Sequence, residues 1–258
     1  HLGPFFYVQK STPDIYGENA ANARLAEAIL AETGVTEGFC VDLAGGNGAL
    51  AYELAQRSNL RIYCVTDDEQ QLTDARRLLN QAGLYGTRVT VHLADPAATN
   101  YPQYFADLVV SRGVADGAVD ATTLADEATR LARPGGGIVC FGPADTLTST
   151  VRPALAGAGN WTHQYADPAN SCCSADQIVQ GTLGMLWFRD VDLDMPQRHG
   201  RGPAPLFYEG KLIVEGMDAM VAVDAYNGRK LWEYPLPGIL HSYDSDHLMG
   251  TAGTGSNF

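Results

Sequence analysis

Val41-Asp42-Leu43-Ala44-Gly45-Gly46-Asn47-Gly48 is the stretch on which the fold turns. An apolar run, residues 39–43, breaks into a glycine-rich bend, and residues 49–56 then have helical composition. Glycine at such a bend lets the backbone approach a ligand closely, because no Cβ intrudes. The helix that follows points its unpaired N-terminal amides at the same place. Outward from the bend, strands and helices alternate. Upstream, residues 18–32 have helical spacing through Leu25, Ala28, Ile29 and Glu32, with Gly34 as the stop. Downstream, strands are expected at 61–65, 88–93, 106–111 and 138–141, with helices at 68–81 and 122–131. This alternation predicts an α/β domain with a parallel sheet covered on both faces. Such sheets bind ligands at the carboxyl ends of their strands, near the switch in strand order.

Three further landmarks extend the pattern. Ala94-Asp95 closes the third strand. Phe105-Ala106-Asp107-Leu108-Val109-Val110-Ser111 forms the fourth, and Leu131-Ala132-Arg133-Pro134-Gly135-Gly136-Gly137 is the turn before the fifth. In this order, residues 17–145 resemble the class I S-adenosylmethionine-dependent methyltransferases, which have a Rossmann-like fold. The resemblance implies S-adenosylmethionine as cofactor. Asp42, Ala44, Gly45, Gly46 and Gly48 would lie at its methionine and ribose end, and Asp95 near its adenine. Two departures stand out. Ala44 replaces the first glycine of the family's Gly-x-Gly-x-Gly. Aligning on Leu72 and Ala75 puts Thr66 where the family carries the acid that grips the ribose hydroxyls; Asp67, immediately after, is the substitute candidate. Ser111-Arg112-Gly113-Val114 follows the fourth strand in place of the Asn-Pro-Pro-Tyr signature of amine methylation. The methyl acceptor and any catalytic residue are therefore unnamed, and a binding domain without catalysis stays open.

Composition changes near residue 145. Trp161, Trp187 and Trp232 all follow it, and long helical periodicity ends there. Residues 1–145 are expected to form the Rossmann-like domain, 146–160 a linker rich in small residues, and 161–258 a second, all-β segment. In that segment residues 206–216 have a strand-turn-strand pattern, 221–224 a third strand and 230–234 a fourth. Tyr226-Asn227-Gly228-Arg229 is a turn suited to positive φ. The unit resembles one blade of the pyrroloquinoline-quinone-type β-propellers, carried by Asp224 to Trp232. The whole combination is similar to large uncharacterised bacterial propeller proteins. One blade cannot bury its own faces, so the chain is expected to be a fragment of a longer protein, or to be completed by another chain. Residues 161–188 are candidates for pieces of a second blade. A quinone site needs several blades, so the quinone itself is not expected here. Such propellers are often exported while the methyl donor is cytosolic, so cytoplasmic and periplasmic or extracellular locations both stay open.

The net charge of −13 and the three lysines, Lys10, Lys211 and Lys230, argue against nucleic acid and anionic membranes as partners. No apolar run is long enough to span a membrane, and residues 1–10 do not have the pattern of an intact signal peptide. Cys40, Cys64 and Cys140 sit in apolar strand-like runs and are expected to be buried; the redox state of Cys172 and Cys173, adjacent in a polar turn, is open. His241 and His247 flank Tyr243, Asp244 and Asp246, but their spacing matches no metal motif. His1 is explained by a fragment boundary better than by copper. No Gly-x-Ser-x-Gly elbow supports a hydrolase.

Overall fold

The computed structural model describes residues 15–17, 19–189 and 203–238. The N-terminal stretch with His1, the start of the first expected helix at Glu18, and the His241–His247 cluster lie outside the described residues. The chain divides into two units, one of residues 1–132 with 137–152, the other of residues 133–136 with 153–258.

The first unit is an α/β layer structure. Strands β1 (Glu37–Asp42), β2 (Asn59–Thr66), β3 (Val89–Leu93), β4 (Leu108–Val110), β5 (Ile138–Phe141) and β6 (Thr148–Val151) form one sheet in the order β3-β2-β1-β4-β5-β6. The first five are parallel, and β6 runs antiparallel to β5. The helices are α1 (Ala20–Thr33), α2 (Ala49–Arg57), α3 (Glu69–Gln81), the short α4 (Arg112–Ala115) and α5 (Ala121–Leu131). Successive strand residues face opposite sides, so neighbours in β1 serve different cores. Cys40 packs with Leu50, Leu54 and Leu79 of α2 and α3. Val41 packs with Leu124, Ala128 and Leu131 of α5. All three strand cysteines are buried. Strand order reverses between β2-β1 and β4, so the bend after β1 opens at the topological switch point.

Two details differ from the sequence reading. In α1 the buried face is Leu25, Ala26 and Ile29, and Glu32 is exposed. The helix packs chiefly on α2, and a close helix approach favours the small Ala26. The second concerns the stretch read as linker. Its first part is β6, a sixth strand with all four residues exposed. Thr148-Ser149-Thr150-Val151 carries no apolar signal; pairing along the β5 edge places it. Arg152 then closes the unit. Its backbone N–H donates to Gly137 O at 2.8 Å. Its guanidinium donates to Ala132 O at 2.7 Å and Arg130 O at 3.2 Å, and lies 4.5 Å from the Tyr104 ring centre. The last carbonyls of α5, which no helical amide reaches, are thus capped from a residue twenty positions on.

The second unit contains β7 (Leu206–Tyr208), β8 (Lys211–Glu215), β9 (Ala219–Asp224) and β10 (Lys230–Pro235), an antiparallel sheet in the order β10-β9-β8-β7. The turn between β9 and β10 is built on Asp224, whose Oδ1 accepts from Tyr226 N at 2.9 Å and Asn227 N at 3.3 Å, with Gly228 at φ +71°. Trp187 covers this turn. Its Nε1 donates to Ala225 O at 2.8 Å, and a Cβ on Gly228 would meet its ring at 2.5 Å. Trp232 and Tyr234, on the outer strand β10, remain 41% and 60% exposed. Among the described residues, 161–188 hold no strand; Trp161 makes an isolated bridge with Phe207 and His163 one with Ala166, and the rest is turns and irregular structure. Cys172 and Cys173 are exposed and unbridged.

Candidate functional site

The bend from β1 into α2 is held by backbone. Gly45 N donates to Val65 O at 2.8 Å, tying it to the end of β2, and Gly48 N donates to Gly45 O at 3.1 Å. A Cβ on Gly45 would run into Cys64 Sγ and come within 2.6 Å of Asp42 Oδ2, so only glycine fits there. Gly48 stands at the start of α2 with φ +76°, a conformation that side-chain-bearing residues adopt at a cost, and the Oδ1 of Asn47 accepts from the first helical amide, Ala49 N, at 3.3 Å. Ala44 has φ +52°. The family glycine it replaces is thus at a position that does call for a left-handed residue.

Asp42 lies directly beneath the bend, fully buried. Its Oδ1 accepts from Arg112 N at 3.0 Å, which joins the ends of β1 and β4. Its Oδ2 has no hydrogen-bond partner among the described residues. A buried carboxylate oxygen left unpaired is costly. Burial pushes the carboxyl up from 3.8 to about 7, against the opposing pull of the Arg112 amide and guanidinium. Near neutral pH the group is thus divided between a neutral carboxyl and a carboxylate whose Oδ2 lacks a donor.

At the end of β2, Thr66 is buried, and its Oγ1 accepts from Asp68 N at 3.3 Å. The strand stops at Thr66. Asp67 lies just beyond it, exposed, outside the strict alternation of the strand. Asp68 is occupied: its Oδ1 caps α3 by accepting from Gln70 N at 2.7 Å and Gln71 N at 2.9 Å. Asp95 is exposed two residues past β3, and its Oδ1 accepts from Ala97 N at 2.8 Å. The ends of β1, β2 and β3 are adjacent in the sheet, so the bend, Asp67 and Asp95 stand along one edge of it.

Four other residues join this edge without having been singled out as site residues. A Cβ on Gly46 would meet Gln71 Oε1 at 2.6 Å and an Arg112 guanidinium nitrogen at 2.8 Å, so both side chains lie over the bend. Tyr16 O–H donates to Asn47 O at 2.9 Å, and its ring packs against that of Tyr52, tilted by 42° with centres 5.1 Å apart. Burial raises the Tyr16 hydroxyl far above its ordinary range. Gly113 N donates to Ala44 O at 3.1 Å. Spacing cannot reveal such residues, because they reach the bend from other elements; Arg112 and Gly113 had only their place after the fourth strand as a signal.

Residues 41–140 match the model of the methyltransferase domain family. This stretch, from the end of β1 to β5, is a methyltransferase-like domain with a Rossmann-like fold, and the cofactor of that class is S-adenosylmethionine. No curated protein matches the chain. Among solved structures, a Methanococcus maripaludis protein assigned as an S-adenosyl-L-methionine-dependent methyltransferase is 28% identical over 48% of this chain and 56% of its own, with a TM-score of 0.44. A geranyl diphosphate methyltransferase solved with S-adenosylmethionine is 20% identical over 46% of this chain and 48% of its own, with a TM-score of 0.41. YcgJ from Bacillus subtilis is 14% identical over 45% and 49%, with a TM-score of 0.40. The chain spans about half the length of each of these structures.

Proposed function

We propose that the first unit binds S-adenosylmethionine and serves methyl transfer to an acceptor. The observation that carries this reading is the orphaned Oδ2 of buried Asp42 beneath a bend that a single Cβ at Gly45 would fill. A backbone cradle with an unanswered carboxylate suits a ligand bearing an ammonium group and a polar chain. Asp42, Ala44, Gly45, Gly46 and Gly48 would line its methionine and ribose end. Asp67 would accept from the ribose hydroxyls, since Thr66 is turned into the core and Asp68 is spent on α3. Asp95 would face the adenine with the oxygen that Ala97 does not use. When bound, the cofactor supplies an electrophilic sulfonium methyl. The chain's own contribution is positioning and exclusion of water. Calorimetric titration of the full chain with S-adenosylmethionine and with S-adenosylhomocysteine tests the reading. Saturable binding of both supports it; no binding of either at millimolar concentration overturns it.

We infer further that the four-stranded unit is one blade of a quinone-type propeller whose remaining blades come from more of the same protein or from another chain. The exposure of Trp232 and Tyr234 on the outer strand favours this, because a neighbouring blade would cover them. The boundary that goes with it falls after Arg152, not at residue 145. Comparing backbone amide exchange in β10 before and after adding the neighbouring repeats of a full-length protein would test it; unchanged protection would count against it.

A further inference from the structure

Beside the bend, on the β4-β5 side of the switch point, lies a cavity of about 270 Å³ between α1, α4 and the loop after β5. Its lining is mostly apolar, with Leu25, Pro143 and Ala144 among the walls. Its charged residues are Arg24, Arg112 and Asp116, two guanidiniums to one carboxylate in a chain whose net charge is −13. Arg112 belongs to both places: it lines this cavity and lies over Gly46. We propose that this cavity takes a small organic acid with an apolar body, and that this acid is the methyl acceptor. A carboxylate oxygen would form the bond to the methyl carbon as that carbon's bond to the sulfonium sulfur breaks, leaving the methyl ester and neutral S-adenosylhomocysteine, with no proton to be removed.

The charges set the chemistry of the occupant. Among the described residues lining the cavity, Asp116 is the carboxylate, and it stands 3.6 Å from Arg112. A paired carboxylate is a poor general base. An acceptor that must lose a proton finds little help here, whereas an organic acid is already ionised at neutral pH. The second guanidinium marks the rim. Arg24 pairs with Asp145, and the two side chains are 67% and 70% exposed. An exposed ion pair contributes little, so a ligand carboxylate seated against the apolar wall displaces Asp145 at small cost. The volume matches a compact acid better than a long chain or a nucleotide. The acceptor role rests on the methyltransferase reading; binding of the acid does not.

The test uses the full chain without cofactor. Benzoate and its neutral isostere benzamide are titrated by ligand-observed NMR, at low and high salt. Benzoate should bind about tenfold more tightly than benzamide, with the preference shrinking as salt rises. Arg24→Gln should weaken benzoate about three- to fivefold and leave benzamide unchanged, while Arg24→Lys keeps most of the affinity. Equal affinity for the two ligands, no binding of benzoate, or an Arg24→Gln variant that binds benzoate as before would each overturn the proposal. Arg24 is exposed, so its variants are expected to fold; a matching thermal transition verifies it. If benzoate binds in this way but S-adenosylmethionine does not, the acid site stands and the cofactor reading falls. If the cofactor binds and benzoate does not, the reverse holds.

Discussion

Ala44 and Gly113 share the space of one methyl group. A Cβ on Gly113 would stand 2.9 Å from the Cβ of Ala44, and Gly113 N donates to Ala44 O at 3.1 Å. The alanine that departs from the glycine pattern of the bend is thus accommodated by a glycine from α4. The two positions should behave as a pair. Gly113→Ala should destabilise the chain by about 1–3 kcal/mol through overpacking. Ala44→Gly in the same chain should recover part of that loss, because the added methyl would still stand 3.2 Å from Ala44 O and from Val119 Cγ2. A double-mutant cycle by thermal or urea unfolding measures the coupling; strictly additive effects would show that the two methyl positions do not compete.

Asp42 gives the first unit a dependence on pH. Its folded value, about 7, lies above its ordinary 3.8 because burial favours the neutral form. The folded chain then holds a proton that the unfolded chain releases, so ligand-free stability falls as pH climbs from about 4 to about 7 and levels off above. The contribution is about 4 kcal/mol at most. Asp42→Asn should flatten this slope in Tm measured across pH 4–8. A cationic ligand group prefers the ionised carboxylate, so cofactor affinity should rise through pH 7 in the wild type and be weak and pH-independent in Asp42→Asn.

The ribose grip can be assigned by two substitutions. If Asp67 has taken over the acid's role, Asp67→Ala should cost about 10- to 100-fold in S-adenosylmethionine affinity, the value of hydrogen bonds to a charged group. Thr66→Glu should not improve binding, because Thr66 is buried and engaged with Asp68 N. Weak wild-type binding that tightens in Thr66→Glu and ignores Asp67→Ala would place the grip at Thr66 instead.

The five cysteines should separate into two classes. Cys40, Cys64 and Cys140 are buried, and burial raises all three thiols above their ordinary value of 9.0. The thiolate is the reactive form. Brief iodoacetamide treatment of the native chain should label Cys172 and Cys173 alone, with the other three reacting only in denaturant. Peptide mass spectrometry reads the result, and native labelling of Cys64 would contradict its place under the bend.

The end of the first unit can be located by truncation. A chain stopped at residue 152 keeps β6 and the Arg152 cap on α5; one stopped at 145 loses both. The longer form should unfold cooperatively at a clearly higher temperature. Equal Tm values would show that β6 and Arg152 add nothing to the unit.

Much of this protein was legible from residue order alone. The β1 bend announces itself because glycines, a terminal carboxylate and flanking apolar runs are local features, and strand-helix alternation follows from hydrophobic period. The four-stranded antiparallel sheet of the second unit was readable for the same reason: its strands are separated by turns whose residues favour turning. Residue order could not show β6, because an exposed Thr-Ser-Thr-Val strand has no apolar period and exists only where β5 offers an unpaired edge. It could not show that Gly113 makes room for Ala44, that Arg112 lies over the bend, or that one oxygen of Asp42 is left without a partner. Those facts belong to chain segments about 70 positions apart, brought together when β4 settles beside β1. Tertiary structure also decided the fate of neighbouring carboxylates: of Asp67 and Asp68, the second is drawn into capping α3, because a helix start needs an acceptor there, and the first is left to face outward.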